Sequence, residues 1–597
     1  MTGCVRFALV FALVSMPTHA AVFYVGVSCE VNDVQDAIDH AAATPGADTI
    51  RIVSDHDYLH QALSINESES LDIVGGFLAC EGEASSGEAT LDGADPPLAP
   101  VMVINAEGIV RLRSLRITRG DSVGAGGGIR YTSTLGALEL SHLIVTESNA
   151  GAYGGGVSAV GPATFDAHAE PGNGPKLRIG PDVFIVSNQA ADGAGLYVSN
   201  MNLDMSMADR GGMFDNRATH DGGGMHLSNT RADIGSGRLN GMLFLNTAGN
   251  AGGGLFASRG SEVRLFSTHP DQALAISGNF AVEGGGIAVQ GDELAPTRVT
   301  LFDAVIDGNS ARNGSAAFLQ SGGGTNVAAL CMRDLAHGTS MPACAGVARP
   351  AAAMECDASK YCNRISDNVA ALPTFTDFSS ASVLVDGAYA TLELRGTRAE
   401  RNTNDVFVDR RSPIDVAGTG IGMSDCLVVD NTFWGPVMFN RGFAPTTIAG
   451  CTIAANTMPA SAPVFDSDGA VILTEAIVWQ GANPIHANPF DDSVRAHASM
   501  VIANETASLE FAPGEAIIDD PQFVDAANGD FHPRVGASPA IDFSNLADQS
   551  AFDLDDHARG VDDAGVADRF GLRDIGAFEA SPPDVIFRDG FDAGTVR

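Results

Sequence analysis

Apolar residues recur along this chain in short runs rather than at helical spacing. Ile129, Val157, Leu196, Met225, Leu255 and Ile287 each open such a run. Leu427-Val428-Val429 and Thr452-Ile453-Ala454 are short and rich in β-branched residues, so they predict strands. They are continuous and apolar enough for a buried parallel ladder. Thr49–Val53, Leu71–Val74 and Val110–Ile117 extend the pattern toward the N-terminus. One segment differs. Over Asn32–Ala43, Val34, Ala37, Ile38 and Ala41 fall at helical spacing, and Asn32 or Asp33 is placed to cap them. This predicts a helix that plugs the first coil and covers an open ladder edge.

Glycine triplets punctuate the runs at regular intervals. They begin at Gly126, Gly154, Gly222, Gly252 and Gly284, with a Gly193-Ala194-Gly195 variant and a decayed Gly314-Ser315-Ala316 copy. Start-to-start steps are 28, 39, 29, 30, 32 and 30 residues. A further triplet at Gly322 is out of register and is assigned to a loop. Asn149, Asn188, Asn216, Asn246, Asn279 and Asn309 each stand a few residues before a triplet or its copy. A second series, Thr397…Asn402, Cys426…Asn431 and Cys451…Asn456, continues with steps of 29 and 25. The unit is apolar strand, Asn, short loop, Gly corner, apolar strand.

A period of this length marks a solenoid or array. Asn tolerates the left-handed backbone region, and Gly adopts it without steric cost. Stacked Asn amides also form hydrogen-bonded ladders. A flexible Gly linker lacks regularly placed strands. Steps near 29 are too short for the four strands of a propeller blade, and the fixed-offset leucines of leucine-rich repeats are absent. The fold expected is all-β, a right-handed parallel β-helix with an N-terminal capping helix and a C-terminal end module.

The Gly-Gly-Gly-apolar copies, with Phe184…Asn188 and Phe214…Asn216 ahead of two of them, resemble the repeats of bacterial polymorphic outer-membrane proteins over roughly residues 90–480. The order Asp520-Pro-Gln-Phe-Val-Asp525, Gly529-Asp-Phe-His-Pro533, Ser538-Pro-Ala-Ile-Asp542, Arg559-Gly560, Asp574-Ile-Gly-Ala-Phe-Glu579 resembles the C-terminal module of exported "choice-of-anchor Q" β-helix proteins. That resemblance implies an exported chain with a variable mode of cell attachment. Ile586–Asp592 is similar to a terminal motif of some exported proteobacterial proteins. The expected division is a signal peptide at 1–20, a cap and first coils at 21–90, Gly-triplet coils at 91–320 and a cysteine-containing insertion at 321–372. Further coils follow at 373–515, the end module at 516–580 and a tail at 581–597.

The signal peptide rests on Arg6, the apolar Phe7–Ser15, and the small residues Thr18 and Ala20. No later segment is apolar and long enough to span a membrane. Nine cysteines become eight once Cys4 leaves with the signal, an even count that suits disulfides in an exported chain. Cys29 and Cys80 flank the cap and are placed to staple it. Cys331, Cys344, Cys356 and Cys362 suggest local pairs, with zinc as the alternative. Cys426 and Cys451 lie one coil apart, either bridged or stacked as thiols.

The net charge of −39 excludes nucleic acid and anionic lipid as natural partners and favours solubility. Proteins of the β-helix class include polysaccharide lyases and hydrolases. Polygalacturonase-type Gly-His-Gly, Arg-Ile-Lys and Asn-Thr-Asp motifs are absent here; Asn402-Thr403-Asn404-Asp405 is the nearest approach. Arg410 and Arg411 beside Asp409 and Asp415 lack an accompanying lyase motif. His142, His220, His226 and His337 are isolated. Asp491-Asp492, Asp519-Asp520, Asp555-Asp556 and Asp562-Asp563 read as loop carboxylates, and Asp553–Asp568 carries hard ligands that suit calcium without matching a known calcium loop. Trp434, Trp479 and seven tyrosines leave few sugar-stacking platforms. No catalytic residue and no cofactor is assigned. The expectation is a secreted or cell-surface scaffold, adhesin-like or glycan-contacting, with a polysaccharide or other cell-surface ligand. The competing class is a carbohydrate-active enzyme. Three or more Asp, Glu, Arg or His side chains in one wall groove would favour that enzyme; a wall of Ser, Thr, Asn and Gly would favour the scaffold.

Overall fold

The computed structural model describes residues 20–580 except for internal segments, the longest being 334–341, 355–362, 371–380, 411–419, 486–493 and 502–508. The leader, the tail at 581–597, the Gly322 triplet, His337, Cys356, Cys362, Arg411, Asp415 and Asp491-Asp492 lie outside the described residues, as do the side chains of Asp405, Asp409 and Arg410. Among the described residues a 41-stranded sheet winds as a parallel β-helix, beside an 8-stranded and a 2-stranded sheet. Strands pair in parallel with the strand one coil on. Ile129, Val157, Leu196, Met225, Leu255, Ile287 and Ala317 stand in one column. All seven are buried. A second ladder runs through Ile109–Thr118, Ala137–Thr146 and Lys176–Ile179. A third runs through Leu427–Val429, Thr452–Ala454 and Ile477–Trp479.

Asn188, Asn216, Asn246, Asn279 and Asn309 stack into a ladder that also takes in Asn368, Asn402, Asn431 and Asn456. Asn246 shows the pattern. Its Oδ1 accepts the Asn216 backbone N–H at 3.1 Å and the Asn216 side-chain amide at 3.0 Å. Its Nδ2 donates to the Met213 carbonyl at 2.9 Å and to Asn279 Oδ1 at 3.1 Å. Every polar atom of the amide is thereby used, which a fully buried amide requires. Among the described residues the ladder ends at Gln480, whose Oε1 accepts the Asn456 backbone N–H and side-chain amide.

Two features differ from expectation. Asn149 is not a rung. It pairs with Gln189 one coil on, so Ser148 holds the ladder position, donating its backbone N–H to Asn188 and accepting the Gly120 N–H through Oγ. The exposed Asn149 side chain donates to Asp121. Nor do the rungs adopt the left-handed conformation; the residue before each does. Ser187 (φ 56), Asp215 (φ 52), Leu245 (φ 55), Asp367 (φ 54) and Arg401 (φ 54) are examples. Asparagine is required for its amide, and the left-handed cost of about 1–2 kcal/mol falls on its neighbour.

The first glycine of each triplet is left-handed, as at Gly222 (φ 67). The third leaves room for the ladder: a Cβ at Gly224 would lie 3.0 Å from Asn246 Nδ2 and 2.7 Å from the Gly254 carbonyl oxygen.

A helix spans Val34–Ala43, with Asp33 Oδ1 accepting the Gln35 and Asp36 N–H groups. Its Val34, Ala37, Ile38 and Ala41 join the main core. Segment 321–372 is partly coil: Ala328–Arg333 and Asn363–Ser366 are strands in the ladders. Cys331 therefore sits on a strand and bridges Cys344 in the excursion that follows, which removes both as zinc thiolates. Cys29–Cys80 and Cys426–Cys451 are also disulfides, the latter joining adjacent coils with Cα atoms 4.4 Å apart.

The C-terminal module lies along the side wall. Leu427, Val429 and Ala454 pack with Phe531, Leu554, Ala577 and Phe578. Ile477 and Met500 pack with Ala540, Phe543 and Ile575. Buried Arg559 bonds Asp425, and Arg573 bonds Glu475 through two nitrogens.

Replacing Asn246 by Ala strips the buried Asn216 donors of their acceptor and is expected to cost about 2–5 kcal/mol. Asn149→Ala at the surface should cost less than about 0.5 kcal/mol. Chemical unfolding of both variants measures the contrast, and equal losses would refute the assigned ladder.

Candidate ligand cleft beside the C-terminal module

The module is held by carboxylates that accept backbone amides. Glu579 Oε1 accepts from Gly560 and Val561, and its Oε2 from Asp574. Asp574 accepts from Asp542 and Ala580, and Asp553 from Asp555, His557 and Glu579. Burial, and then the charge of Glu579, push Asp574 up to about 8. Burial disfavours the Arg559 cation, but Asp425, Asp553, Glu579 and Glu475 outweigh it and keep the guanidinium charged. The motif residues Arg559, Asp574 and Glu579 are therefore structural.

A hairpin of Phe523–Asp525 and Asp530–Pro533 projects from this module. His532 clamps it, with Nδ1 2.7 Å from Asp530 and Nε2 2.8 Å from Asp555. Its ring stacks on Phe578 at 4.0 Å. Burial opposes the imidazolium, but the hydrogen bonds and charges of Asp555 and Asp530 win and raise the pKa of His532.

Between hairpin and wall lies a cavity of about 580 Å³. Trp479, half-buried, comes from the wall column Val429–Ala454–Trp479. Phe523, Ala526 and Phe531 face it from the hairpin, and Asn456, Gln480, Gly481, Asp520 and Gln522 are further lining residues. Asp520 Oδ1 accepts the Gln522 N–H at 2.9 Å. Gln522 is itself left-handed (φ 50), as are the corner residues before the ladder rungs. Among the described residues, Asp520 is the one ionisable side chain of the lining. An apolar floor with a few convergent polar groups is the usual make-up of a small-molecule site.

A second cavity, of about 420 Å³, opens on the wall at Arg111, Arg113, Glu139, Arg178 and Asp204. Five charged groups match an enzyme groove in composition. Their bonding opposes it. Arg111 bridges Asp72 and Glu139, Arg113 pairs with Asp72, and Arg178 pairs with Glu139 at 2.7 Å. Burial alone would raise Glu139, but Arg178 and Arg111 outweigh it and hold the carboxyl below its usual range, unlike a poised general acid.

The other expected residues stand apart. His226 packs between Tyr197 and Phe256, and burial pushes it down to about 3. His142 faces Asp182 at the surface, and His220 is exposed. Trp434 is exposed away from the lining. Asp542, Asp562 and Asp568 bring carboxylate oxygens within 4.8 Å of one another, a donor set suited to a hard cation. Only Asp562 and Asp568 lie in the stretch singled out by sequence. The cleft was missed because Trp479 and the Asp520–Phe531 segment are 40 residues or more apart; the Trp one coil beyond the Cys451…Asn456 copy was the available signal. No protein-family model matches the chain, and no curated protein matches it.

A raised folded-state pKa means stability that is complete below the ordinary value and lost as pH climbs through the raised one. For His532 that loss begins above 6.5; for Asp574 it runs from the ordinary carboxylate value of 3.8 to about 8. Both act in the same direction, so the module should loosen toward alkaline pH. Amide exchange over 523–579, corrected for intrinsic rates, should quicken between about pH 4 and about pH 8. In an Asp555→Asn variant the His532 imidazole, followed by NMR, should titrate at lower pH than in the parent.

Proposed function

We propose that this protein is an exported or cell-surface β-helix scaffold that contacts glycans and does not cleave them. The observation that carries this is the Trp479 cleft, an aromatic floor with amide and carboxylate edges on a long, regular wall. Aromatic rings that present an apolar face beside polar groups suit pyranose rings, which are apolar on their faces and polar around their rims. The lone carboxylate supports binding over hydrolysis, because glycoside hydrolysis ordinarily needs a pair of carboxylates across the scissile bond.

Export is supported by the signal-like leader and the three disulfides, bonds that persist in oxidising compartments. No described helix is long and apolar enough to cross a membrane. The C-terminal motif order supports placing the chain with exported choice-of-anchor Q proteins, and the triplet repeats support a likeness to polymorphic outer-membrane proteins. A carbohydrate-active enzyme is the second reading, favoured by the charged groove at Glu139.

The test is retention of the mature protein on immobilised polysaccharides, with reducing and unsaturated ends assayed in the eluate. Retention without product release is expected, with Trp479→Ala weakening it about thirtyfold, the scale of a central aromatic contact. Product release that disappears in Glu139→Gln would establish the enzyme instead.

A further inference from the structure

We infer that the Trp479 cleft selects uncharged oligosaccharides and rejects acidic ones. This rests on the glycan-contact proposal for the same cleft and names the class of ligand.

The lining supplies attraction chiefly through apolar contact. Trp479 and Phe523, both partly exposed, offer apolar surface beside buried Phe531, and Trp479 is anchored because it also packs against the module core that holds Ile477, Ala540 and Phe543. A ring fixed by its own packing presents its open face at little entropic cost. Gluco-configured sugars, whose hydroxyls are equatorial, leave both ring faces apolar and suit such a floor. Polar recognition falls to Gln522 and Asp520. Asn456 and Gln480 are committed: Gln480 Nε2 donates to the Asn456 carbonyl at 2.9 Å, while its Oε1 holds the Asn456 amide at 2.8 Å.

Charge supplies the rejection. No Lys, Arg or His is among the described lining residues. Arg534, on the hairpin, donates to the Phe523 and Val524 carbonyls. A uronate or sulfate entering the cleft would lose water beside Asp520 with no cation in the lining to receive it. The chain's net charge of −39 adds a long-range penalty of the same sign. Selectivity here comes from the repulsive element as much as from the attractive one.

The experiment follows intrinsic fluorescence of the mature protein during titration with cellohexaose, chitohexaose and oligogalacturonate. Trp434→Phe serves as background, so that the signal reports Trp479. Saturable binding of a neutral probe, at least tenfold tighter than oligogalacturonate, is expected. Gln522→Ala should weaken it, and Asp520→Asn should narrow the preference at least threefold by admitting the acidic probe. Both changes are at exposed positions, so folding is preserved and checked by circular dichroism. Equal or tighter binding of oligogalacturonate overturns the selectivity and leaves glycan contact standing. Binding of none of the probes overturns both.

Discussion

The structure depends on a ladder of buried amides that has to stay in register. Each rung from Asn216 to Asn456 uses its oxygen for two donors of the preceding coil and its nitrogen for acceptors on both sides. A slip of one residue would place an amide where no partner waits, and a buried unsatisfied polar group is expensive. The ladder therefore sets the register that hydrophobic burial leaves loosely determined, because Val, Leu, Ile and Met interchange freely along the inward columns. It also explains two local costs. The residue before each rung is held left-handed whatever its type, and the third glycine of a triplet gives up its side chain so that the next amide fits.

Register of this kind turns the outside of the helix into columns of equivalent positions. Charges one coil apart then face one another directly. Asp72, Arg111, Glu139 and Arg178 do so, and each is neutralised by the next. The groove they line is consequently a structural seam. On another face the columns become apolar at Leu427, Val429, Ala454 and Ile477, and the C-terminal module covers them. Arg559 and Arg573 fix the alignment of module and wall through Asp425 and Glu475. Such pairs add less to stability than to placement, since desolvation offsets much of their attraction.

The repeat, the strands and the parallel stacking were legible because their signals are local and recur every thirty residues or so. The apolar residue after each triplet proved to be a true column. Asn149 misled because the neighbouring Ser148 can also accept a backbone donor, and spacing alone does not separate adjacent residues. Asn368 was hidden in a segment whose cysteines suggested an insertion, although its flanking strands continue the coil. The side-wall position of the module was invisible for a different reason. It depends on outward residues of distant coils, and sequence periodicity reports which residues face in, not what covers those that face out.

The cleft occurs beside Gln480, the last rung of the ladder among the described residues. Gln480 departs from the series: with one more methylene than Asn, its amide folds back onto the Asn456 carbonyl and onto Met458. Gly481 follows with φ 66, and a Cβ there would meet nothing within 4 Å, in contrast to the crowded triplet glycines earlier in the chain. The Phe523–Pro533 hairpin lies over this corner without filling it. Bringing a second element against the wall beside an aromatic side chain produces an open cleft without disturbing the register that holds the wall.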